Sequence, residues 1–185
     1  GGLPASCSVR FEAMSDSTYT PHAIDAARAP GERPAVFLVV VDNTPEMRVA
    51  LRWASLRARR TGGRVGLVRV IRPADFQHWA AVGNLMSAEA HEEAEQLLQE
   101  YAAEVFRLYG GMPILYLREG DAKSAVIELI EEERDIRILV LAASTSRRGP
   151  GPLITHLTKK AIGQLRIPVT IVPGGLTEEQ IDQLV

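Results

Sequence analysis

The chain has 185 residues, 46% of them hydrophobic and 24% charged, with a formal net charge of −2 at pH 7. This is the composition of one globular domain of ordinary size, and it excludes a fibrous repeat, a wholly disordered chain and the basic footprint of a nucleic-acid or anionic-membrane binder. One cysteine, Cys7, leaves no internal disulfide, no apolar run is long enough to cross a bilayer, and the first residues lack a signal-peptide pattern, so the expected compartment is the cytoplasm.

Residues 1–34 are rich in Gly, Pro, Ser and Thr without a sustained apolar period, and they read as a flexible leader ahead of a single domain, 35–185. Met14 is either a natural start preceded by extra residues or an ordinary methionine. At 36–41 six apolar residues, mostly β-branched, predict a strand buried on both faces. Thr44 as a cap, Pro45 in a first turn and Glu46 at the positive helix end predict a helix that runs to Thr61, where Gly62 and Gly63 stop it. A second strand is expected at 65–71, then a loop over 74–86 that carries Phe76, His78 and Trp79. In that loop Trp79 is either a lid over a bound base or, by preference, a packing residue.

A helix over 87–109 has Ala90, Ala94, Leu97, Leu98, Tyr101 and Val105 inward and Glu92, Glu93 and Glu95 on its wet side. A third strand (113–117), a third helix (122–133), a fourth strand (136–141), a Gly/Pro/Arg loop, a fourth helix (153–165) and a fifth strand (168–172) follow, and Thr177 caps a short tail helix in a tail that begins near Leu176. Strands alternating with helices imply right-handed crossovers and a parallel five-stranded sheet covered by helices on both faces. Ligands of such α/β folds bind beyond the carboxyl ends of the strands, where strand order reverses. That rule selects the segment at 41–44 and the segment at 142–155.

No dinucleotide or P-loop glycine motif, no nucleophile elbow and no metal-ligand spacing among His22, His78, His91, His156 and Cys7 is present. The expectation is therefore a binding protein with no catalytic residue and no metal. A phosphoacceptor receiver domain fits less well, because only Asp42 follows the first strand and Asp121 begins a helix turn.

Several ordered patterns resemble the universal stress protein family: Val41-Asp42-Asn43-Thr44-Pro45-Glu46 after the first strand, Leu67-Val68-Arg69-Val70-Ile71 in the second, Arg118-Glu119-Gly120-Asp121-Ala122 with Ile127 before and in the third helix, 135–141 before the nucleotide loop, and 168–172 as the last strand. The resemblance covers 36–173 and implies an adenine-nucleotide-alpha-hydrolase-like, Rossmann-like sheet of order 3-2-1-4-5 and a homodimer joined through the strand at 168–172. An unpaired apolar edge of that kind needs a cover, and a two-fold pairing supplies one. The alternative is that the tail, 176–185, folds over the edge within one subunit.

Many members of that family bind ATP through G-x2-G-x9-G-[ST] after the fourth strand, with an aspartate after the first strand on the adenine. Ungapped, the motif falls on Ala142, Thr145, Thr155 and His156, so all three glycines and the final Ser/Thr are replaced, and Pro150 and Pro152 remove two amides. The loop instead offers Ser144, Thr145, Arg147, Arg148, Gly149 and Gly151, chemistry that suits phosphate. With Asp42 for adenine or ribose and Val70 for the base, these residues form the candidate site for ATP or AMP. The reading is a dimeric universal-stress-type regulatory protein that responds to such a ligand. The alternatives are a ligand-free module that presents Arg147 and Arg148 to an unknown protein partner, and a weak phosphohydrolase.

Overall fold

The central apolar runs pair as parallel strands because they are buried on both faces and are too short to form a core helix. The structure is a computed structural model that describes residues 9–11, 33–72 and 80–185, and the side chains of 33–72 and 87–185. Its elements in chain order are β1 (Val9–Phe11), β2 (Val36–Val40), α1 (Met47–Thr61), β3 (Arg64–Ile71), α2 (Ala80–Tyr109), β4 (Ile114–Glu119), α3 (Ala122–Glu132), β5 (Ile136–Ala143), α4 (Pro152–His156) continuing as a π-helical turn over Leu157–Ala161, β6 (Val169–Pro173) and α5 (Glu178–Leu184). The sheet order is β1-β4-β3-β2-β5-β6. The five parallel strands, β2 to β6, stand in the expected order 3-2-1-4-5. β2 is central, with Val39 opposite Leu67 on one side and Val140 on the other.

Side-chain alternation sorts β2 into two cores. Phe37, Val39 and Val41 face α1 and α2, where they meet Leu51, Ala54, Leu98 and Val105. Val36 and Leu38 face α3 and α4, where they meet Val126, Leu129, Ile130 and Leu157. α1 ends as the sequence predicts: Gly62 takes φ 65°, a left-handed conformation that favours glycine, and the Gly63 amide returns to the Ala58 carbonyl at 2.9 Å. At the other end Thr44 does not cap the helix. The N-cap is Glu46, without a side-chain bond to the helix, and Thr44 instead bonds to Asp42.

Three departures from the sequence reading concern the periphery. Val9–Phe11, inside the segment expected to be a leader, pairs antiparallel with β4. A three-residue edge strand is too short to leave a periodic signal. α2 begins at Ala80, seven residues earlier than expected, because Gly83 and Asn84 read as breakers yet are tolerated inside a long helix. Phe76, His78 and Trp79 lie outside the described residues. The tail does not cover β6. α5, held by a capping box between Thr177 and Gln180, docks on α1 through Ile181 and Val185 against Leu56. Arg52 grips Asp182 there with two bonds of 2.9 and 2.8 Å. Among the described residues no strand bonds to the outer edge of β6, where Ile171 is exposed. Nor is any described helix long and apolar enough to cross a membrane.

Candidate functional site

β2, β3 and β5 end together on one rim of the sheet, at the point where the chain order turns from β2 outward in both directions. A cleft of about 810 Å³ opens there, bounded by the β2–α1 turn, the ends of β3 and β5, the start of α4 and the side of α2. That volume suits a small organic ligand. The location is the one that strand order dictates for an open α/β sheet.

Five of the residues singled out from sequence line this cleft: Asp42, Val70, Ala142, Ser144 and Gly151. Asp42 accepts from the Thr44 amide at 2.9 Å and the Thr44 hydroxyl at 2.5 Å, both on Oδ1. These bonds fix the turn, and among the described residues they leave Oδ2 free for a ligand donor. Val70, Ile71, Ala142 and Leu153 supply apolar surface. Gly151, at φ 114°, lets the chain enter α4 at Pro152.

The other six do not line it. Arg147 and Arg148 are exposed at the loop tip, Gly149 (φ 107°) shapes the turn beside them, and Thr155 and His156 sit half-buried on α4. The Ser144 amide bonds to Pro150 O, that of Gly149 to Ser146 O, and those of Ser146 and Arg148 to the hydroxyls of Ser144 and Ser146. The loop is thus folded on its own hydrogen bonds. The Thr145 amide and hydroxyl turn outward, and both donate at 3.0 Å to Oε1 of Glu46. The Thr145 amide, then Glu46's own amide and the Thr145 hydroxyl, hold the Glu46 carboxyl below the usual carboxylate range.

The sequence reading missed five contributors. Glu46 lines the cleft, although its position suggested only a helix-end charge. Arg69 and Arg72 reach the cleft from the end of β3, and Arg69 donates to Val41 O at 3.2 Å. Glu89 and Glu93 face it from α2, four residues apart on one helix side, although Glu93 reads as part of the wet face. Two basic residues at the carboxyl end of a predicted strand were a usable signal for Arg69 and Arg72. Nothing local marks which glutamates of an acidic helix face a cleft. Among the described residues, no group of three or more His, Cys, Asp or Glu stands close enough to hold a metal.

A doubly wound parallel sheet with a ligand-sized cleft at its switch point defines a Rossmann-like α/β domain. The sequence profile described as "Universal stress protein family" matches residues 36–173, all five parallel strands included, and the chain belongs to that family. Among solved structures it is similar to universal stress protein UspA from Lactobacillus plantarum, with 16% identity over 77% of this chain and 99% of that one and a TM-score of 0.63. It is also similar to a universal stress protein in complex with cAMP (14% identity, 78% of this chain and 100% of that one, TM-score 0.56). A third is the universal stress protein from Archaeoglobus fulgidus in complex with dAMP (20% identity, 76% and 98%, TM-score 0.50). At these identities the likeness is one of fold. No curated protein matches the sequence.

Proposed function

We propose that this protein is a cytoplasmic, non-catalytic regulatory member of the universal stress protein family that binds an adenine nucleotide in the cleft and works as a dimer. The observation that carries the reading is the cleft itself: an apolar wall at Val70 and Ala142 beside an Asp42 carboxylate whose Oδ2 is free among the described residues. The apolar wall suits the faces of a base, and the carboxylate accepts from an adenine amino group or a ribose hydroxyl. Two solved structures of similar fold hold cAMP and dAMP, which favours an adenine ligand here.

Titration calorimetry of the purified protein with AMP and ATP tests this. Asp42→Ala removes a charged acceptor and is expected to weaken nucleotide binding about tenfold or more. Failure of the wild-type protein to bind either nucleotide at millimolar concentration would reject the proposal in favour of the ligand-free partner-binding module.

The dimer reading rests on the open outer edge of β6 with Ile171 exposed. An unpaired apolar edge strand is a pairing surface, and a two-fold axis closes it without leaving a new edge. Ile171→Lys is expected to convert a dimer seen by sedimentation velocity into a monomer. A variant that sediments as wild type would place the interface elsewhere.

A further inference from the structure

Resting on that reading of the cleft, we infer that Glu46 is a built-in occupant of the anion seat on the β5–α4 loop, and that it sets the ligand class: an adenine mononucleotide rather than a nucleoside triphosphate. The seat consists of the Thr145 amide and hydroxyl, two donors that converge on one oxygen, which is how a loop holds an anion. The anion they hold is the protein's own. Within the loop, the amides of Ser144, Ser146, Arg148 and Gly149 are consumed by internal bonds, and Pro150 and Pro152 have none.

The contact is built in from a third element as well. Gly174, just after β6, lies so close that a Cβ there would stand 2.4 Å from Cγ of Glu46 and 2.2 Å from the Ala143 carbonyl oxygen. Absence of a side chain at 174 therefore makes the room in which Glu46 reaches Thr145. The depressed pKa of Glu46 agrees with a carboxylate held charged in that seat.

A phosphate chain extended along the β5 wall meets this carboxylate. It must displace Glu46 or lie beside a like charge, and either disfavours the longer, more highly charged ligand. A single phosphate carries less charge and is disfavoured less.

The test compares AMP and ATP affinities, by calorimetry, for wild type, Glu46→Gln and Glu46→Ala. Wild type is expected to bind AMP about tenfold more tightly than ATP. Glu46→Ala should close most of that gap by strengthening ATP binding more than AMP binding. Glu46→Gln, which keeps an acceptor for Thr145 but loses the charge, should fall between them. An unchanged ATP-to-AMP ratio in Glu46→Ala, or a wild type that already binds ATP as tightly as AMP, overturns the inference while leaving the cleft reading intact. If AMP and ATP both fail to bind wild type and both variants, the cleft reading fails and this inference falls with it. A role for Glu46 in holding the loop alone would change both affinities together and leave their ratio where it was.

Discussion

Arg166→Ala is expected to lower the unfolding free energy by about 2–4 kcal/mol, the cost of taking a charged donor from two buried carbonyls and a half-buried one. Arg166 follows α4 and leads into β6, and its guanidinium lies in the gap between α3 and β5. There Nη1 donates to Ile136 O at 3.0 Å and Nη2 donates to Glu133 O at 2.8 Å and to Ile130 O. These carbonyls belong to the end of α3 and the start of β5, where a helix leaves acceptors without intrahelical donors. Ile130 and Ile136 themselves are fully buried. The planar fork reaches carbonyls in different directions at once, so Arg166→Lys, with one ammonium, should recover less than half of the loss. Urea unfolding at neutral pH measures both variants. A loss below about 0.5 kcal/mol for the alanine would mean that water replaces the guanidinium freely at this corner.

Gly174→Ala is expected to cost about 1–3 kcal/mol, the range for forcing extra atoms into a filled site. The cause is contact and not backbone conformation, because Gly174 is not among the positive-φ glycines. A Cβ there meets the Ala143 carbonyl oxygen at 2.2 Å and Cγ of Glu46 at 2.4 Å. The first atom is backbone, in the parallel pair of β5 and β6, and it also accepts the Gly174 amide at 3.0 Å. It cannot swing away as a side chain would. The second is the start of the Glu46 side chain, so the substitution also pushes that carboxylate off Thr145. In the same unfolding assay Gly174→Ala should therefore destabilise the protein, and in calorimetry it should move the ATP-to-AMP ratio in the direction of Glu46→Ala. Glu46→Ala added to Gly174→Ala removes the clash with Cγ, while Cβ of residue 46 stays at 2.9 Å, and should recover part of the stability. A double variant no more stable than the single one would place the cost at the Ala143 carbonyl and Cβ of residue 46.

How much of this was legible in the linear chain follows from the range of each interaction. The central strands were legible because burial on both faces demands continuous apolar runs, as at 36–41 and 138–141. Helix stops were legible where glycine must take a positive φ, as at Gly62. The short edge strand β1 and the early start of α2 were not, since the first is held by three residue pairs with a distant strand and the second runs through residues of poor helix propensity.

The candidate site divides in the same way. Asp42 and Ser144 were found because the end of a predicted strand is a position defined by local sequence alone. The outward orientation of Arg147 and Arg148 belonged only to the alternative reading, because a loop of small and cyclic residues folds on its own amides and hydroxyls, and sequence does not rank those bonds against solvent. Glu46 was misjudged for a stronger reason. Its partner Thr145 is 99 residues away, and its seat depends on Gly174 beyond another strand.

By itself, then, the sequence determined the class of fold, the order of the parallel strands, the family and the rim of the sheet where a ligand belongs. Each of these follows from periodicity, punctuation and the handedness of crossovers, which are properties of neighbours along the chain. Only the tertiary structure decided that the tail docks on α1 and leaves the β6 edge open, and that the loop's outward donors are held by a carboxylate from another turn. Those outcomes depend on which of several polar partners lies within 3 Å once β2, β5 and β6 are side by side, a distance that no local pattern encodes.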